Sequence, residues 1–297
     1  MKKVTMTELA AMVGCSHSTV SRALSGSGRI SAETREKILK LADRHHYQPQ
    51  RGWRVAAVIW TVADFAPDYY MLMLVQHLTL ELHRRKFRFF IVPGYDMSLL
   101  DNLYITGAIS LSPFNRIARR WSAVRPTPMV TVNDYSETVG GIFSVTSNEE
   151  DTVETVVDML IAHGCSKPLF VLLSADTLCS KLRLEAYRRS MERYGLSAMV
   201  VNYGKNIDVE TWDLPECDSF ILAGENLESI SSVLHRRFPE KRIAVWRFGD
   251  EVNPGEITVN QDFARLAAEA VDLLECAISN PAAAGNRKVP SLIKSGL

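Results

Sequence analysis

Two short amphipathic helix patterns, joined by a glycine-containing turn, open the sequence and constrain its fold more than any other feature. Thr5 and Glu8 have the spacing of a capping box, which predicts the start of a first short helix. Gly14 supplies a residue that readily adopts a left-handed turn, and Ser16 is a favourable N-cap for a second helix over 17–24. Two short helices joined in this way predict a helix-turn-helix.

A third helix and a strong basic charge complete this N-terminal module. Ser31 precedes a helical pattern over 32–45 whose apolar stripe would close a three-helix core. The first 54 residues carry ten Lys and Arg against four Asp and Glu, a net charge of +6. The remaining residues carry a net charge of −6, so the whole chain is neutral. A basic module on an acidic body is typical of a chain that meets nucleic acid at one end.

Residues 4–50 resemble the headpiece of the lactose-repressor (LacI/GalR) family. The matching elements are Val4-Thr5, Leu9-Ala10, Val13-Gly14-Cys15-Ser16, Thr19-Val20-Ser21-Arg22, Ile30-Ser31, Thr34-Arg35 and Tyr47-Gln48-Pro49. The resemblance implies that residues 1–49 form the all-α DNA-binding headpiece of a transcription regulator, a repressor. It also implies a homodimer whose paired headpieces bind a pseudo-palindromic operator in double-stranded DNA.

The resemblance implies roles for particular headpiece residues. His17, Ser18 and Arg22 are expected to read base edges from the second helix. A second set is expected to hold phosphates or to order the helix ends: Thr5, Ser16, Thr19, Ser21, Ser31, Thr34 and Tyr47. The guanidinium of Arg22 has the fork that binds guanine O6 and N7 together, and the alternative is a solvated charge on the helix face. Arg29 and Lys37 are expected to add nonspecific attraction to phosphates.

The junction at residues 50–54 departs from the family pattern. Relatives carry an Ala-Arg-x-Leu type hinge that becomes helical on operator DNA. Here Gln50-Arg51-Gly52-Trp53-Arg54 is too short for such a helix, and glycine is a poor helix residue. Arg51 and Arg54 are interpreted as lying near the minor groove, and Trp53 as packing on the body or acting as a wedge. The hypothesis is a weakly kinked site, with control through the separation of two headpieces.

Strand and helix patterns alternate through the body, residues 55–297. Short apolar runs predict strands at 55–60, 89–92, 108–111, 129–132, 169–173, 198–201, 219–222 and 243–248. Helical patterns lie between most of them, at 70–86, 148–163, 181–194, 229–237 and 262–278. This alternation predicts two doubly wound α/β lobes with parallel sheets. Residues 96–104 leave room only for a turn where the second helix of the first lobe is expected.

The body resembles the periplasmic-binding-protein-like sensor domain of the same family, through Thr106-Gly107-Ala108-Ile109, Arg183-Leu184-Glu185-Ala186-Tyr187 and Gln261-Asp262. The resemblance implies a small-molecule effector, a sugar or nucleoside-like compound, held between the lobes and controlling the repressor. Candidate ligand-binding residues are Asp64, Phe65, Arg183, Trp246 and Asp250. Alternatively, Arg183 is a helix-surface charge and the aromatics are core residues. Because Gly249 replaces a frequent ligand-binding aspartate, a degenerate sensor without an effector remains a second interpretation.

Other classes of protein find less support in the sequence. It contains no GxSxG elbow, P-loop, GxGxxG or metal-spaced His/Asp/Glu set, so neither an enzyme nor a cofactor or metal site is expected. Asp134, Glu149 and Glu150 are interpreted as solvated acids, and the five scattered cysteines as reduced thiols. Without a window of about 18 uncharged apolar residues or a secretory h-region, the chain is expected in the cytoplasm and not in a membrane. A free-standing small-molecule-binding protein would share the body but not the headpiece.

Overall fold

The computed structural model describes residues 4–45, 47, 54–60, 69–94, 96–101, 103–111, 116–125, 127–136, 140–172, 177–203, 208–224, 228–249 and 251–297. The chain divides into two compact units. The first unit contains Met1–Thr146 and Phe263–Arg287, and the second contains Ser147–Asp262 and Lys288–Leu297. The headpiece therefore belongs to the same unit as the first part of the body.

Helices and strands alternate along the body after three headpiece helices. The headpiece helices are α1 (Met6–Val13), α2 (His17–Ser25) and α3 (Ala32–Arg44). The body helices are α4 (Tyr69–Arg84), α5 (Arg116–Val124), α6 (Glu149–Ala162), α7 (Leu178–Arg193), α8 (Glu228–Arg237) and α9 (Phe263–Ser279). The strands are β1 (Val55–Trp60), β2 (Arg88–Pro93), β3 (Gly107–Ser110), β4 (Met129–Val132), β5 (Ile142–Ser147), β6 (Pro168–Leu172), β7 (Met199–Asn202), β8 (Ser219–Leu222), β9 (Arg242–Trp246), β10 (Glu256–Asn260), β11 (Arg287–Val289) and β12 (Leu292–Ser295).

The headpiece is stabilised by capping residues at the helix ends and by a small apolar core between the helices. The Thr5 hydroxyl accepts from the Glu8 amide at 3.2 Å, and the Glu8 carboxylate accepts from the Thr5 amide at 2.7 Å. Gly14 ends α1 in the left-handed region at φ 72°, as its position in the sequence predicts. The three helices bury Leu9, Val20 and Ile38 completely. The predicted helix-turn-helix and third helix are thus present.

Two six-stranded sheets organise the two units. Their strand orders are β11-β5-β4-β3-β1-β2 and β12-β10-β9-β8-β6-β7. Each unit begins on an interior strand, because β1 pairs in parallel with both β2 and β3 and β6 pairs in parallel with both β7 and β8. The pairing of β12 with β10 is antiparallel. This winding in both directions from an interior strand confirms the predicted doubly wound α/β class.

Helices cover both faces of the second sheet, which explains its nearly continuous apolar strands. Leu169 and Phe170 are both fully buried but belong to hydrophobic clusters on opposite faces, because successive strand side chains alternate. The Phe170 face packs with Val156 and Tyr187 from α6 and α7, and the Leu169 face packs with Leu234 from α8. In the first unit, buried Trp121 from α5 packs in a cluster with Ile59 and Met129.

Several elements differ from the sequence-based predictions. The predicted strand runs all occur within a residue or two, but β5, β10 and α5 had not been predicted. The last strands, β11 and β12, are separated by Pro290 and Ser291. Proline has no amide hydrogen to donate to a ladder, which accounts for the break. Residues 97–100 form one 3-10 turn, in agreement with the predicted loss of a helix in this segment.

A buried carboxylate links three elements of the second unit. Glu256 is 0% exposed and accepts from the Ser231 hydroxyl at 2.6 Å, the Arg247 guanidinium at 2.9 and 3.0 Å and the Asn253 amide at 2.8 Å. His235 Nε2 lies 2.9 Å from the same carboxylate. Burial alone would raise the pKa of Glu256, but these hydrogen bonds and the charge of Arg247 outweigh it and hold the pKa below its ordinary value of 4.5.

This lowered pKa predicts an acid-sensitive second unit. The Glu256 carboxylate stabilises the fold fully above its ordinary pKa, and this stabilisation is lost as the pH falls through the lowered, folded-state value. The urea midpoint of unfolding should therefore fall steeply below about pH 4.5, and urea titrations from pH 7 to 3 measure it. The variant Glu256→Gln should show a shallower acid dependence than the wild type. Identical acid dependence in the two proteins would contradict this assignment.

Candidate nucleic-acid interface

The second headpiece helix presents a polar face because its apolar face is used by the headpiece core. Val20, Ala23 and Leu24 of α2 are buried, whereas His17, Ser18 and Arg22 are exposed on the remaining surface. The three residues predicted to read bases therefore lie on the exposed surface of one helix, His17 and Ser18 in its first turn and Arg22 in its last. A helix of this kind fits the major groove of B-DNA.

Arg22 is held along the helix by a local contact. Its Nε donates to the Ser18 carbonyl at 3.1 Å, and the terminal guanidinium nitrogens have no protein partner among the described residues. Gly28, at φ 75°, lies beside the aliphatic stem of Arg22, since a Cβ there would come within 2.8 Å of Arg22 Cδ. The side chain is thus oriented while its bidentate fork stays available to an acceptor pair.

The hydroxyl residues predicted to order helix ends are at those ends. Thr5, Ser16 and Ser31 are the N-caps of α1, α2 and α3, and each side chain accepts a backbone amide. Ser16 Oγ also lies 2.8 Å from Thr19 Oγ1, and Ser31 Oγ donates to Thr34 Oγ1 at 2.7 Å. Ser21 is half-buried on α2. Helix N-termini carry partial positive charge and favour phosphate, so this placement suits the expected backbone contacts.

Tyr47 lies elsewhere than the predicted phosphate contact requires. It is 6% exposed, and burial raises the pKa of its phenol. Its ring packs against Tyr104 at 6.0 Å between centroids, and its carbonyl accepts from the Tyr104 hydroxyl at 2.6 Å. Tyr47 is a core residue in this structure, because an aromatic residue from the body covers it. Sequence reasoning confined to the headpiece did not identify that partner.

The charged residues around the junction divide into two groups. Arg29 and Lys37 are exposed, as nonspecific attraction requires. The interpretation of Arg54 as a minor-groove residue is wrong for this structure: it donates to Glu275 at 2.8 Å and its guanidinium lies 5.8 Å from the Phe87 ring centroid. Arg51 and Trp53 lie outside the described residues.

Two of the predicted ligand-binding residues meet in the second unit. The guanidinium of Arg183, on α7, lies 5.3 Å from the ring centroid of Trp246, at the end of β9. Arg183 Nε donates to Glu149 at 2.7 Å, and Gln261 donates to the other oxygen of that carboxylate at 3.1 Å. Arg183 is 7% exposed and is therefore not a helix-surface charge. The other predicted ligand residues, Asp64, Phe65 and Asp250, lie outside the described residues.

Two acids that were interpreted as solvated are buried. Glu149 is 1% exposed because Arg183 and Gln261 enclose it, and Asp134 is 4% exposed because it accepts from the Ser136 amide and hydroxyl at 3.0 and 2.5 Å. Glu150 remains half-buried and pairs with Lys288 at 2.6 Å. The Trp246 indole NH is buried without a partner among the described residues. The second unit therefore holds a polar cluster formed by Glu149, Arg183, Trp246 and Gln261.

The described part of the chain carries neither a metal-ligand cluster nor a membrane-spanning helix. No group of three His, Cys, Asp or Glu side chains there is arranged to hold a metal ion. Within the same residues, no helix is both long and apolar enough to cross a bilayer.

The helix-turn-helix headpiece matches a known protein family. Residues 5–50 match the family model described as bacterial regulatory proteins, lacI family. Over 51 residues the chain is 43% identical to the sucrose operon repressor of Klebsiella pneumoniae, an alignment that covers 16% of this chain and 15% of that protein. This match confirms the resemblance found in residues 4–50 of the sequence.

The whole chain shares its fold with solved regulators. The lac repressor dimer bound to operator and the anti-inducer ONPF superposes with a TM-score of 0.67 at 16% identity, over 99% of this chain and 98% of that chain. The transcriptional regulator CelR in complex with cellobiose superposes with a TM-score of 0.64 at 17% identity, over 99% of both chains. At these identities the likeness defines the fold, and it confirms the periplasmic-binding-protein-like body.

Proposed function

We propose that this protein is a sequence-specific DNA-binding transcription regulator, a repressor that reads the major groove with α2. The observation that carries the proposal is the exposed face of α2, on which His17, Ser18 and Arg22 lie while the opposite face is buried in the headpiece core. These side chains supply donors and acceptors of the kind that distinguish base edges. The +6 charge of the first 54 residues supplies the attraction to phosphates that is the same for every DNA sequence.

The proposed operator is a pseudo-palindrome bound by a homodimer. One headpiece of this size contacts one half-site, and two-fold paired headpieces match inverted half-sites about one helical turn apart or multiples of it. The similar lac repressor structure is a dimer bound to operator, which supports the same arrangement here.

Selection of bound fragments from a genomic DNA library tests this function. The full chain should enrich fragments that share an inverted-repeat motif, and the enrichment should weaken as salt rises. Fragments recovered at low salt without any shared motif would overturn the proposal of sequence-specific recognition.

The body is proposed to bind a sugar or nucleoside-like effector through the polar cluster of the second unit. Trp246 offers an aromatic ring and an indole NH without a partner among the described residues, and Arg183 places a cationic donor group against that ring. An aromatic surface with a few convergent polar groups is the usual composition of a small-molecule site. The similar regulator CelR was solved with cellobiose, which supports the carbohydrate class.

A thermal-shift screen of sugars and nucleosides measures this binding. A compound that binds the native state at 100 times its Kd should stabilise it by about 2.7 kcal/mol and raise Tm accordingly. The variant Arg183→Lys keeps a cation for Glu149 but loses the guanidinium fork, so it should reduce or abolish the shift. Arg188→Lys changes an exposed arginine of the same helix and should leave the shift intact. Equal shifts in both variants would remove Arg183 from the site.

A regulator without a small effector is the second candidate. The observation that favours it is the 2.7 Å contact between Arg183 Nε and Glu149, which engages part of the guanidinium within the fold. Under this alternative the chain binds its operator equally well in the presence and absence of every compound in the screen, and no compound raises Tm.

A further inference from the structure

The headpiece packs directly on the body of the first unit through Tyr104. This residue is 6% exposed and is a member of the headpiece core, whose other described members all lie between residues 4 and 47. Its hydroxyl donates to the Tyr47 carbonyl at 2.6 Å, and the two rings pack at 6.0 Å between centroids. Burial, with the nearby Asp43 carboxylate, strongly raises the pKa of Tyr104. Tyr104 therefore remains a neutral hydrogen-bond donor across the range in which the protein is folded.

A second contact joins the end of the recognition helix to the same segment. Gly26 ends α2 at φ 69°, and a Cβ at this position would come within 2.6 Å of Leu103 Cδ2. Leu39 and Asp43 of α3 also line a narrow cavity together with Leu103. The end of α2 and one side of α3 therefore both lie next to the residues that precede β3.

Leu103 and Tyr104, here called the docking segment, are followed directly by a residue that is hydrogen-bonded to the interior of the first sheet. Two residues beyond Tyr104, the Thr106 hydroxyl accepts from the Val55 amide at 3.0 Å and donates to the Val55 carbonyl at 2.9 Å. Val55 begins β1, and Thr106 immediately precedes β3, the neighbour of β1 in the sheet. Arg54, next to Val55, pairs with Glu275 of α9. The headpiece is thus seated on strand ends and not on an independent loop.

The headpiece contacts follow the stretch in which the sequence leaves room only for a turn. Residues 97–100 form that 3-10 turn, where the family pattern has a full helix, and the following Leu103 and Tyr104 make the headpiece contacts. The junction that connects headpiece and body is short as well. Both departures from the family pattern are consistent with a headpiece held by direct packing.

We propose that Tyr104 is a positioning residue for DNA binding. Its contact with Tyr47 holds the headpiece in one orientation on the first unit, so that the spacing between half-sites accepted by a dimer is set by this packing and not by a hinge helix. The part of this proposal that concerns DNA rests on the function proposed above. The docking itself does not.

Hydrogen exchange of the full chain tests the docking without DNA. In Tyr104→Ala, amides of 38–45 should exchange faster than in the wild type, while those of β1 and β3 stay protected and show that the sheet is intact. Tyr104→Phe keeps the ring but not the hydroxyl and should give an intermediate increase. Tyr194→Ala removes an exposed tyrosine of the second unit and serves as the control. Unchanged exchange of 38–45 in both Tyr104 variants would overturn the docking.

A spacing series of operators tests the positioning role. The spacing between two half-sites of the selected motif is lengthened or shortened by one to four base pairs. Each added or removed base pair also rotates one half-site about the DNA axis relative to the other. The wild type should lose about tenfold or more in affinity away from its preferred spacing. Two rigidly held headpieces can bind both half-sites at once only at that spacing, so at other spacings the second headpiece loses its high effective concentration. Tyr104→Ala should flatten this preference without changing affinity for a single half-site. An unchanged spacing preference would refute the positioning role, and if no motif is recovered the exchange experiment alone decides the docking.

Discussion

Replacement of Arg22 by alanine is expected to remove about 1–3 kcal/mol of discrimination at one base pair in each half-site, about 5- to 150-fold in affinity for the preferred base. The reason is that the guanidinium is exposed, oriented by its bond to the Ser18 carbonyl, and free of other protein partners among the described residues. Because it contributes so little to the fold, Tm should stay within experimental error of the wild type. Binding titrations against the selected operator, with each base substituted at each half-site position, measure the change.

Lys37→Ala is the matched control for Arg22. Lys37 is an exposed residue of α3, where a contact to phosphate would carry no base information. Its replacement should weaken all sequences about equally and lower the slope of log K against log salt by about 1. If the two variants lose affinity in the same sequence-independent way, Arg22 does not read a base.

Replacement of Glu256 by glutamine should destabilise the second unit by about 3–5 kcal/mol. The Arg247 guanidinium, whose side chain is 9% exposed, would lose the charge that compensates it, and the Ser231 and Asn253 groups would lose a charged acceptor. Urea unfolding followed by circular dichroism at pH 7 measures the loss.

Two variants separate this effect from a general effect of removing acids. Glu216→Gln breaks the exposed pair with Lys167 and should leave the urea midpoint unchanged, since exposed ion pairs contribute little. Glu256→Gln combined with Arg247→Met should recover part of the lost stability, because both partners of the buried pair are then removed. A double variant less stable than Glu256→Gln would show that uncompensated charge is not the cause.

The headpiece was predictable because its determinants are local. Thr5, Glu8, Gly14 and Ser16 act over three or four residues, and α2 is amphipathic enough to show which side is buried. The exposed face of α2 follows from that periodicity, and the base-reading role proposed for it comes from the family resemblance. The pairing of Arg183 with Trp246 was only partly predictable: both residues were candidates, but their meeting depends on how α7 packs beside β9.

The residues whose predicted environment differs from the structure are mostly polar groups whose partners lie far along the chain. Glu149 reads as a solvated helix-start acid until Arg183 and Gln261 are brought to it, 34 and 112 residues away. Tyr47 fits a surface role until Tyr104 covers it from the body. Strand β10 was not predicted because only Ile257 and Val259 of its five residues are strongly apolar, although its polar residues are also buried in the fold. A local sequence pattern does not show that a polar side chain will find its hydrogen-bond or packing partner far along the chain.

The first unit is completed by α9, which the ribosome synthesises only after the whole of 147–262. Helix α9 packs along α4 and supplies Glu275, the partner of Arg54 and Arg85. The headpiece, by contrast, contains its own helix caps, and its core is complete once Tyr104 has been synthesised. During translation, the headpiece core is therefore complete well before the first unit on which the headpiece packs. A chain that ends before α9 would carry the headpiece on an incomplete unit.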